Sequence, residues 1–371
     1  MRKVALDLGV RKTAYCEVQD GKVIQRATVT SVETLEAVLG PEQPSAQVAI
    51  EACREAWHVH DLLSSWGNQV VLVDTTRSRR LGIGQHGRKT DKIDAEVLAL
   101  ALERGGIPAA HVLSPHRREL RRRLNVRRAL VESRAQLTTT SRGLAREQGV
   151  RLPKCPTTNF ARHVSKLTLQ PLEIIAPLLK QLETINAQLE VVDTRLAQLC
   201  ETEPVVNLLM TAPGVGPIVA ASFVSVIDDA KRFGSPHQVE SYLGLVPSED
   251  SSGGTRRLGA ITKKGNSYLR SLLVQGAWAI ITKADRHDPL RLWAEAVAER
   301  RTRKIAVIAL ARRLAGVLWA MWRDSAPYDP ALLASASGRG TRKTARTLEA
   351  QAAQLTATVR KRVPSEATLQ T

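Results

Sequence analysis

The sequence predicts an α/β domain at the N-terminus, followed by a mostly helical C-terminal part. Over the first hundred residues, short apolar runs with strand periodicity alternate with segments of helical periodicity. Two long stretches further along the chain repeat apolar residues at near-heptad spacing, and a compact region with glycine-containing turns follows them. The chain has 371 residues, which is enough for two or three domains that each bury a core.

Three strands open the chain. Residues 3–8, 13–19 and 23–30 have strand patterns, and Asp20-Gly21 between the last two is a strong hairpin signal. The elements expected next are a helix at 31–40, a strand at 46–51, a helix at 57–66, a strand at 69–74 and a helix from 91 to about 102. The order β-β-β-α-β-α-β-α is that of a ribonuclease H-like domain.

The middle of the chain predicts two long helices. Residues 113–145 combine apolar residues at helical spacing with a dense arginine face, and residues 174–199 have near-heptad spacing. The segment LPKCPTTNF at 152–160 is a proline-bearing connector between them. We interpret the two helices as an antiparallel coiled-coil arm or a dimerisation element.

The C-terminal part begins after Glu203-Pro204. The segment TAPGVGPIVAASFV has the pattern of a helix-hairpin-helix, in which a glycine-rich turn lets backbone amides approach a phosphate. The tail is poor in large apolar residues and is expected to be flexible and basic. The predicted domains are 1–110, 111–203, 204–330 and 331–371.

The charge balance favours a polyanionic partner. The chain carries 54 Lys and Arg against 36 Asp and Glu, a formal net charge of +18. Such an excess binds nucleic acid through release of counterions, so nucleic acid is favoured over a membrane surface. No apolar run approaches the roughly 20 residues that span a bilayer, and the chain opens directly into a strand pattern. We therefore expect a cytoplasmic protein.

Four acidic residues stand out in the basic chain. Asp7 and Glu51 end apolar runs, and Asp91 and Asp94 lie three apart at the start of a predicted helix. Carboxylates at adjacent strand ends can meet a helix face and hold Mg²⁺, or Mn²⁺ in its place, for chemistry on phosphate. A structural interpretation stays open. In it, Asp91 caps the helix, the helix dipole favours Asp94 in the first turn, and Asp7 and Glu51 only terminate strands. The segment DLGVRKTAY also resembles the phosphate-binding hairpin of actin-like ATPases, but that leaves the arginine-rich helices unexplained.

A serine turn lies in the basic C-terminal part. Ser251 and Ser252 precede two glycines, and such an exposed turn can approach a phosphate, although SSGG alone is typical of a hairpin turn. Basic side chains near this turn and in two earlier segments are candidates for contacts with nucleic-acid backbones, or else solvated faces. They are Arg77, Arg79, Arg80, Arg88, Lys89, Arg117, Arg118, Arg121, Arg122, Arg256, Arg257, Lys263, Lys264 and Arg270.

Several motifs in order resemble one family over residues 1–330. They are ALDLG, AIEAC, GRKTDKIDA, TAPGVGPIVA, YLGLVPSEDSSGGTRRLGAITKKGN and ALARRLAGVLWAMWRD. They resemble the DEDD-type insertion-sequence transposases, which have a RuvC-like N-terminal domain and a serine-containing C-terminal transposase domain. That family is understood as recombinases guided by a bridge RNA.

The resemblance implies a mechanism and partners. Asp7, Glu51, Asp91 and Asp94 would bind Mg²⁺, and Ser252, which directly precedes glycine, would be favoured over Ser251 as the residue that forms a phosphoserine link to DNA. The carboxylates of one protomer would meet the serine of another in a dimer or tetramer. A structured RNA from the non-coding end of the element would pair with donor and target DNA, with the protein working at the bacterial nucleoid.

Three functions remain in competition at this point. The favoured one is an RNA-guided transposase that exchanges strands through phosphoserine. The second is a RuvC-like, metal-dependent nuclease that cuts DNA junctions with water as the nucleophile, and the third is a non-catalytic nucleic-acid-binding protein.

Overall fold

The chain forms two compact units. The structure, a computed structural model, describes residues 1–78, 91–167, 172–250 and 257–333. Unit 1 spans Met1–Leu113, and unit 2 begins at Ser114. The first predicted boundary, between residues 110 and 111, falls next to this division. Most of the predicted tail lies outside the described residues.

Unit 1 is built on a five-stranded mixed sheet with the order β3-β2-β1-β4-β5. The strands are β1 (Arg2–Leu8), β2 (Thr13–Gln19), β3 (Lys22–Val29), β4 (Ala46–Glu51) and β5 (Gln69–Val73). The helices are α1 (Val32–Leu39), α2 (Ala56–Ser65), the short α3 (Thr75–Ser78) and α4 (Asp91–Glu103). The first three strands pair antiparallel, and β4 and β5 add in parallel. The predicted element order is confirmed, and it is compatible with a ribonuclease H-like domain.

The two faces of the sheet bury different helices. Leu6 of β1 packs with Leu39 of α1 and Leu63 of α2. Its neighbour Ala5 packs on the opposite face with Leu98 of α4. Because successive strand residues point to opposite faces, every second residue of β1 and β4 faces α4.

A buried charged group ties the start of β1 to β2. Arg2 donates from Nε and Nη2 to the two carboxylate oxygens of Glu17 at 2.8 and 2.7 Å, and the Tyr15 hydroxyl donates to Glu17 at 2.6 Å. Glu17 is 5% exposed. The hydrogen bond from Arg2 holds the pKa of Glu17 below its ordinary value. Burial raises the pKa of Tyr15.

The two long helices of unit 2 form the predicted antiparallel arm. They are α5 (Pro115–Glu147) and α7 (Leu172–Glu201), with the short α6 (Phe160–Val164) between them. Arg127 Nε donates to Asp193 at 2.5 Å, and one heptad further on Arg134 Nη1 donates to Asn186 at 3.3 Å. Polar pairs at seam positions specify register in a helix pair. The two helices thus run antiparallel, and their role as an arm stays an interpretation.

The remaining elements of unit 2 enclose one large core. They are α8 (Pro204–Leu209), α9 (Pro217–Ile227), α10 (Pro236–Tyr242), β6 (Pro247–Glu249), β7 (Leu258–Ile261), α11 (Ser267–Lys283), α12 (Pro289–Arg300) and α13 (Arg303–Asp324). Leu120 and Leu124 of α5 and Leu196 of α7 belong to the same core. The base of the arm is therefore built into this core.

Helix α13 qualifies, by length and composition alone, as a membrane span among the described residues. The sequence predicted no membrane-spanning segment, and Arg312 and Arg313 interrupt the apolar run of this helix. Leu310, Leu314 and Leu318 of this helix are fully buried in the core of unit 2. We therefore interpret α13 as a core helix.

The predicted helix-hairpin-helix corresponds to α8, a turn and α9. Gly214 in the turn has φ +71°, and a Cβ there would overlap the carbonyl oxygen of Gly276 in α11. Glycine at 214 is therefore required by close packing against α11. A Cβ on Gly216, the residue before α9, would meet nothing within 4 Å. The approach of a phosphate to the backbone amides of this turn stays a prediction.

A second close approach holds the segment after α10. Gly244 has φ +67°, and a Cβ there would overlap the backbone of Lys264. Gly265 has φ +90°, and its Cβ would overlap the carbonyl oxygen of Tyr242. Two backbone segments that flank the serine turn in sequence thus cross in direct contact.

Glu17→Gln is expected to lower the free energy of unfolding by about 1–3 kcal/mol at neutral pH, because the Arg2 guanidinium loses its charged partner. The pKa of Glu17 is lower in the folded chain than in the unfolded one. The difference from wild type is therefore full above the unfolded pKa of about 4.3 and shrinks as the pH falls through the folded value. Urea titrations across pH measure it. The exposed Glu42→Gln is the control, and an equal loss there would contradict the assignment.

Gly244→Ala is expected to destabilise unit 2 by at least about 2 kcal/mol, since the substitution combines a positive φ with a backbone clash. Gly143→Ala, near the C-terminal end of α5, is the matched control, because a Cβ there meets nothing within 4 Å. The free energy of unfolding of that control should rise by up to about 1 kcal/mol, because alanine has a higher helix propensity than glycine. Thermal unfolding of both variants measures the difference, and a shift of the same sign in both would refute the crossing as the cause.

Candidate functional site

Two of the predicted carboxylates end neighbouring parallel strands. Leu6 of β1 lies opposite Ile50 of β4. Asp7 and Glu51 are the next residues on the two strands, so they lie side by side at the usual strand separation of about 4.8 Å. Asp7 has the same parity as Ala5, which packs against α4. Both carboxylates therefore belong to the face of the sheet that α4 covers.

Helix α4 brings the other two carboxylates to the same edge. Its last residue, Glu103, accepts a hydrogen bond from the Gly21 amide at 2.9 Å, at the far end of the sheet. At its start, a Cβ built on Gly9 would lie 4.0 Å from Asp91 Oδ2, and Gly9 directly follows β1. Asp94 is 5% exposed and lies one turn before the buried Leu98. All four acids thus lie at one edge of the sheet.

The donor chemistry of this edge suits a hard divalent cation. Nowhere in residues 1–78, 91–167, 172–250 and 257–333 do three His, Cys, Asp or Glu side chains stand close enough together to hold a metal ion. Mg²⁺ is usually held by one or two carboxylates plus substrate phosphates and water, without a closed protein cage. The adjacent pair Asp7 and Glu51 meets that requirement in number and in type of oxygen.

A cleft of about 330 Å³ opens beside Asp91. It is lined by Lys12, Ala14, Thr28, Asp91 and Lys92. Both lysines are exposed, so their ammonium groups can meet a phosphate that approaches the acidic edge. Lys12, Lys92 and Thr28 were not predicted as site residues from the sequence. The first two carried a signal, because they lie in the turn after β1 and next to Asp91.

The serine turn connects two strands of a small hairpin. Strands β6 and β7 pair antiparallel, and the Asp250 amide donates to the Arg257 carbonyl oxygen at 3.0 Å. Ser251 and Ser252 themselves lie outside the described residues, as does Arg256. The role of Ser252 as nucleophile stays a prediction.

The arginines of α5 that were predicted to contact nucleic acid differ in solvent exposure. Arg118 is 4% exposed, so the prediction that it lines a nucleic-acid surface is corrected. Arg117 donates to Glu203 at 2.7 Å, and both side chains are 14% exposed. Arg121 is half-buried, and burial lowers its pKa. The Arg122 side chain is 64% exposed. An arginine run around a whole helix must turn some members toward the core.

The other basic candidates also divide into exposed and structural residues. The side chain of Arg77 is 66% exposed and lies 3.6 Å from Asp74. Lys263, Lys264 and Arg257 are exposed. Arg270 donates from Nη1 to the carbonyl oxygens of Leu243 at 3.0 Å and Lys264 at 3.2 Å, and burial lowers its pKa. It therefore pins the backbone that presents the lysines. Arg79, Arg80, Arg88 and Lys89 lie outside the described residues.

Comparison with known proteins gives consistent matches. Residues 4–147 match a DEDD transposase family model of the IS110 type, and residues 206–291 match the transposase IS116/IS110/IS902 family. A probable family 20 transposase of Pseudomonas aeruginosa is 29% identical over 77% of this chain and 87% of its own length. The transposase for insertion sequence element IS1111A of Coxiella burnetii is 26% identical, over 88% and 90%. That for IS1328 of Yersinia enterocolitica is 26% identical, over 85% and 95%.

The fold, the acidic edge and these matches together define an insertion-sequence transposase, an enzyme that acts on DNA. Within that class, the chain belongs to the IS110 family of DEDD transposases. The resemblance seen in the sequence is thereby confirmed.

Gly9→Ala is expected to slow DNA cleavage at the ends of the element by about a hundredfold, since an ångström-scale shift at a reacting centre has that effect. The added Cβ would lie 2.5 Å from the Lys12 carbonyl oxygen, which forces the β1–β2 turn away from Asp91. Gly106→Ala in the same unit is the control, because its Cβ would make only an ordinary 3.8 Å contact. Cleavage assays on both variants test this, and unchanged cleavage by folded Gly9→Ala would contradict it.

Proposed function

We propose that this transposase cleaves and exchanges DNA strands through a covalent phosphoserine intermediate, guided by a structured RNA from the non-coding end of its element. The observation that supports the proposal is the gathering of Asp7, Glu51, Asp91 and Asp94 at one edge of the sheet. A cleft with two lysines adjoins that edge. A substrate phosphate can therefore approach the carboxylates with its own charge partly neutralised.

Mg²⁺, or Mn²⁺ in its place, is the cofactor that this donor set suits. When bound, the ion neutralises charge on the phosphodiester oxygens. Asp7 and Glu51 would hold it from adjacent strands, and Asp91 and Asp94 of α4 stay predicted as further ligands. The N-terminal end of α4 faces this edge, where its dipole stabilises the carboxylates themselves.

Ser252 is the proposed nucleophile. Its Oγ forms a bond to the scissile phosphorus while the bond from phosphorus to one deoxyribose oxygen breaks. The serine hydroxyl proton passes to water, and the departing oxygen takes one up to become a hydroxyl. In the exchange step, the hydroxyl of a second strand attacks the phosphoserine phosphorus, and the serine oxygen leaves and regains a proton. The number of phosphodiester bonds is conserved, so no energy source is needed.

Exposed cations would contact the nucleic-acid backbones. The side chains of Arg77 and Arg122 are 66% and 64% exposed, and Lys263 and Lys264 are exposed just after β7. With a formal net charge of +18, such contacts bind DNA and RNA without reading sequence. Base pairing by the RNA would then supply specificity, and the reaction would take place on DNA in the cytoplasm, at the nucleoid.

A second candidate is a RuvC-like nuclease in which water attacks the phosphorus. The pairing of β6 with β7 favours it, because the SSGG sequence between two paired strands is typical of a connection that needs no chemistry. The two functions differ in one product, since hydrolysis leaves no protein attached to DNA.

Ser252→Ala is expected to abolish both the covalent adduct and strand exchange, while the neighbouring Ser251→Ala retains them. Asp7→Asn should abolish both as well, because the acidic edge loses one of its two adjacent carboxylates. Purified protein, Mg²⁺, DNA spanning the element ends and RNA transcribed from them are combined and run on a denaturing gel. Mass spectrometry then maps the attachment residue.

The outcomes separate the candidates. An RNA-dependent adduct on Ser252 supports the proposal. Free strand ends with no adduct, formed equally well by Ser252→Ala, would establish the hydrolytic nuclease instead. An adduct on Ser251 would move the nucleophile by one residue and contradict its assignment.

The proposal also includes a homo-oligomer in which one protomer supplies the carboxylates and another the serine. Mixed Asp7→Asn and Ser252→Ala proteins are expected to recover part of the strand exchange that neither shows alone. No recovery after co-refolding of the two variants would place both functions within one protomer.

A further inference from the structure

A tryptophan lies at the surface of unit 2 beside a concentrated basic corner. Trp278 of α11 is 38% exposed, although aromatic residues make up only 4% of the chain. The guanidinium carbon of Arg303, the first residue of α13, lies 5.3 Å from the centre of its ring. A cationic plane over an indole is a stacking arrangement that leaves the rest of the ring accessible.

A cleft of about 240 Å³ adjoins this pair. Its floor is apolar, formed by Ile281, Ala294 and Ala298, and its walls are Arg291, Glu295 and Arg303. Trp278 lies three residues before Ile281, which places the two side chains on the same side of α11. The cleft is smaller than the usual pocket for a drug-sized ligand, so it suits a single small group.

The walls of the cleft are held in place. Arg291 donates from Nε to Glu295 at 2.9 Å and from Nη1 to the Ala284 carbonyl oxygen at 2.8 Å. These two hydrogen bonds fix the position of the Arg291 side chain, which therefore shapes the cleft. Arg303 is the wall residue that reaches both the cleft and the ring.

The corner between α12 and α13 adds positive charge around the cleft. Arg300, Arg301, Arg303 and Lys304 are all exposed within five consecutive positions. A run of exposed cations next to an aromatic ring and an apolar slot fits a polyanion that also carries flat apolar groups. Single-stranded nucleic acid has that chemistry, because its phosphates meet the cations while an unpaired base stacks on the ring.

We propose that Trp278, Arg303 and the adjoining cleft bind an unpaired nucleotide of a DNA strand, with the phosphates held by the α12–α13 corner. The inference rests on the proposed function, since strand exchange requires a strand to leave its duplex. The base stacks on Trp278 beside the Arg303 guanidinium. Duplex DNA cannot insert a paired base, so the site discriminates single strands from duplex.

The test measures binding of a fluorescein-labelled oligo-dT of about ten nucleotides to the full chain by anisotropy. Trp278→Ala is expected to weaken this binding about tenfold, while Trp278→Phe, which keeps a ring, loses less. Affinity for a duplex of the same length should not change. Quenching of tryptophan emission by the oligonucleotide should fall in Trp278→Phe even where binding persists.

A matched control comes from a second arginine–tryptophan pair. Arg323 lies 4.6 Å from the ring centre of Trp319, but that ring is 1% exposed and cannot be reached. Arg303→Ala should therefore weaken oligo-dT binding more than Arg323→Ala, which removes the same charge. Circular dichroism confirms that each variant is folded, and Trp278→Phe carries the test if Trp278→Ala does not fold.

Several results would overturn the proposal. If Trp278→Ala lost affinity equally for single strand and duplex, the site would contribute only general electrostatics. If it lost affinity only for an oligo-U RNA of the same length, the occupant would be RNA. Unchanged oligo-dT binding by folded Trp278→Ala would remove the site while leaving phosphoserine chemistry intact. Conversely, the wild-type protein could form no covalent adduct while Trp278→Ala still weakened oligo-dT binding. That result would contradict the proposed function and support this site.

Discussion

The parallel pairing of β1 with β4 is the constraint on which the acidic edge depends. It sets Asp7 beside Glu51 and, through side-chain parity, directs both toward α4. A slip of one residue in this register would separate the two carboxylates and bring a core residue to the edge. The hydrogen bond from Gly21 to Glu103 then fixes the far end of α4, so that its first turn stays at the edge.

The arginines of this chain have two different roles, one inside the fold and one at the surface. Part of the large basic excess is used inside the fold, where Arg128, Arg142 and Arg313 lie over Tyr268, Phe160 and Trp293 at 4.7–5.0 Å from the ring centres. Others hold carboxylates or carbonyl oxygens, as Arg2, Arg117 and Arg270 do. Net charge alone therefore overstates the surface that is available to nucleic acid.

Much of unit 1 and the direction of the arm could be predicted because they depend on local periodicity. Apolar runs located the five strands, and Asp20-Gly21, with both residues at positive φ, located the hairpin. Long-range packing could not be predicted in this way. The burial of Arg118, the contact of Gly214 with α11 and the meeting of Trp278 with Arg303 each join elements distant in sequence. Lys12 and Lys92 lie close in sequence to Asp7 and Asp91, and this proximity is the signal that could have located them.

The length of the antiparallel arm can change without disturbing its base. Its base belongs to the core of unit 2, whereas its tip closes on a separate small cluster around Phe160 and Ile175. One heptad added to both helices near the tip would extend the arm by about 10 Å and leave every pairing nearer the base in register. Addition to only one helix would misalign Arg127 with Asp193. Evolution can thus change the length of this arm in paired steps, without altering unit 1 or the core of unit 2.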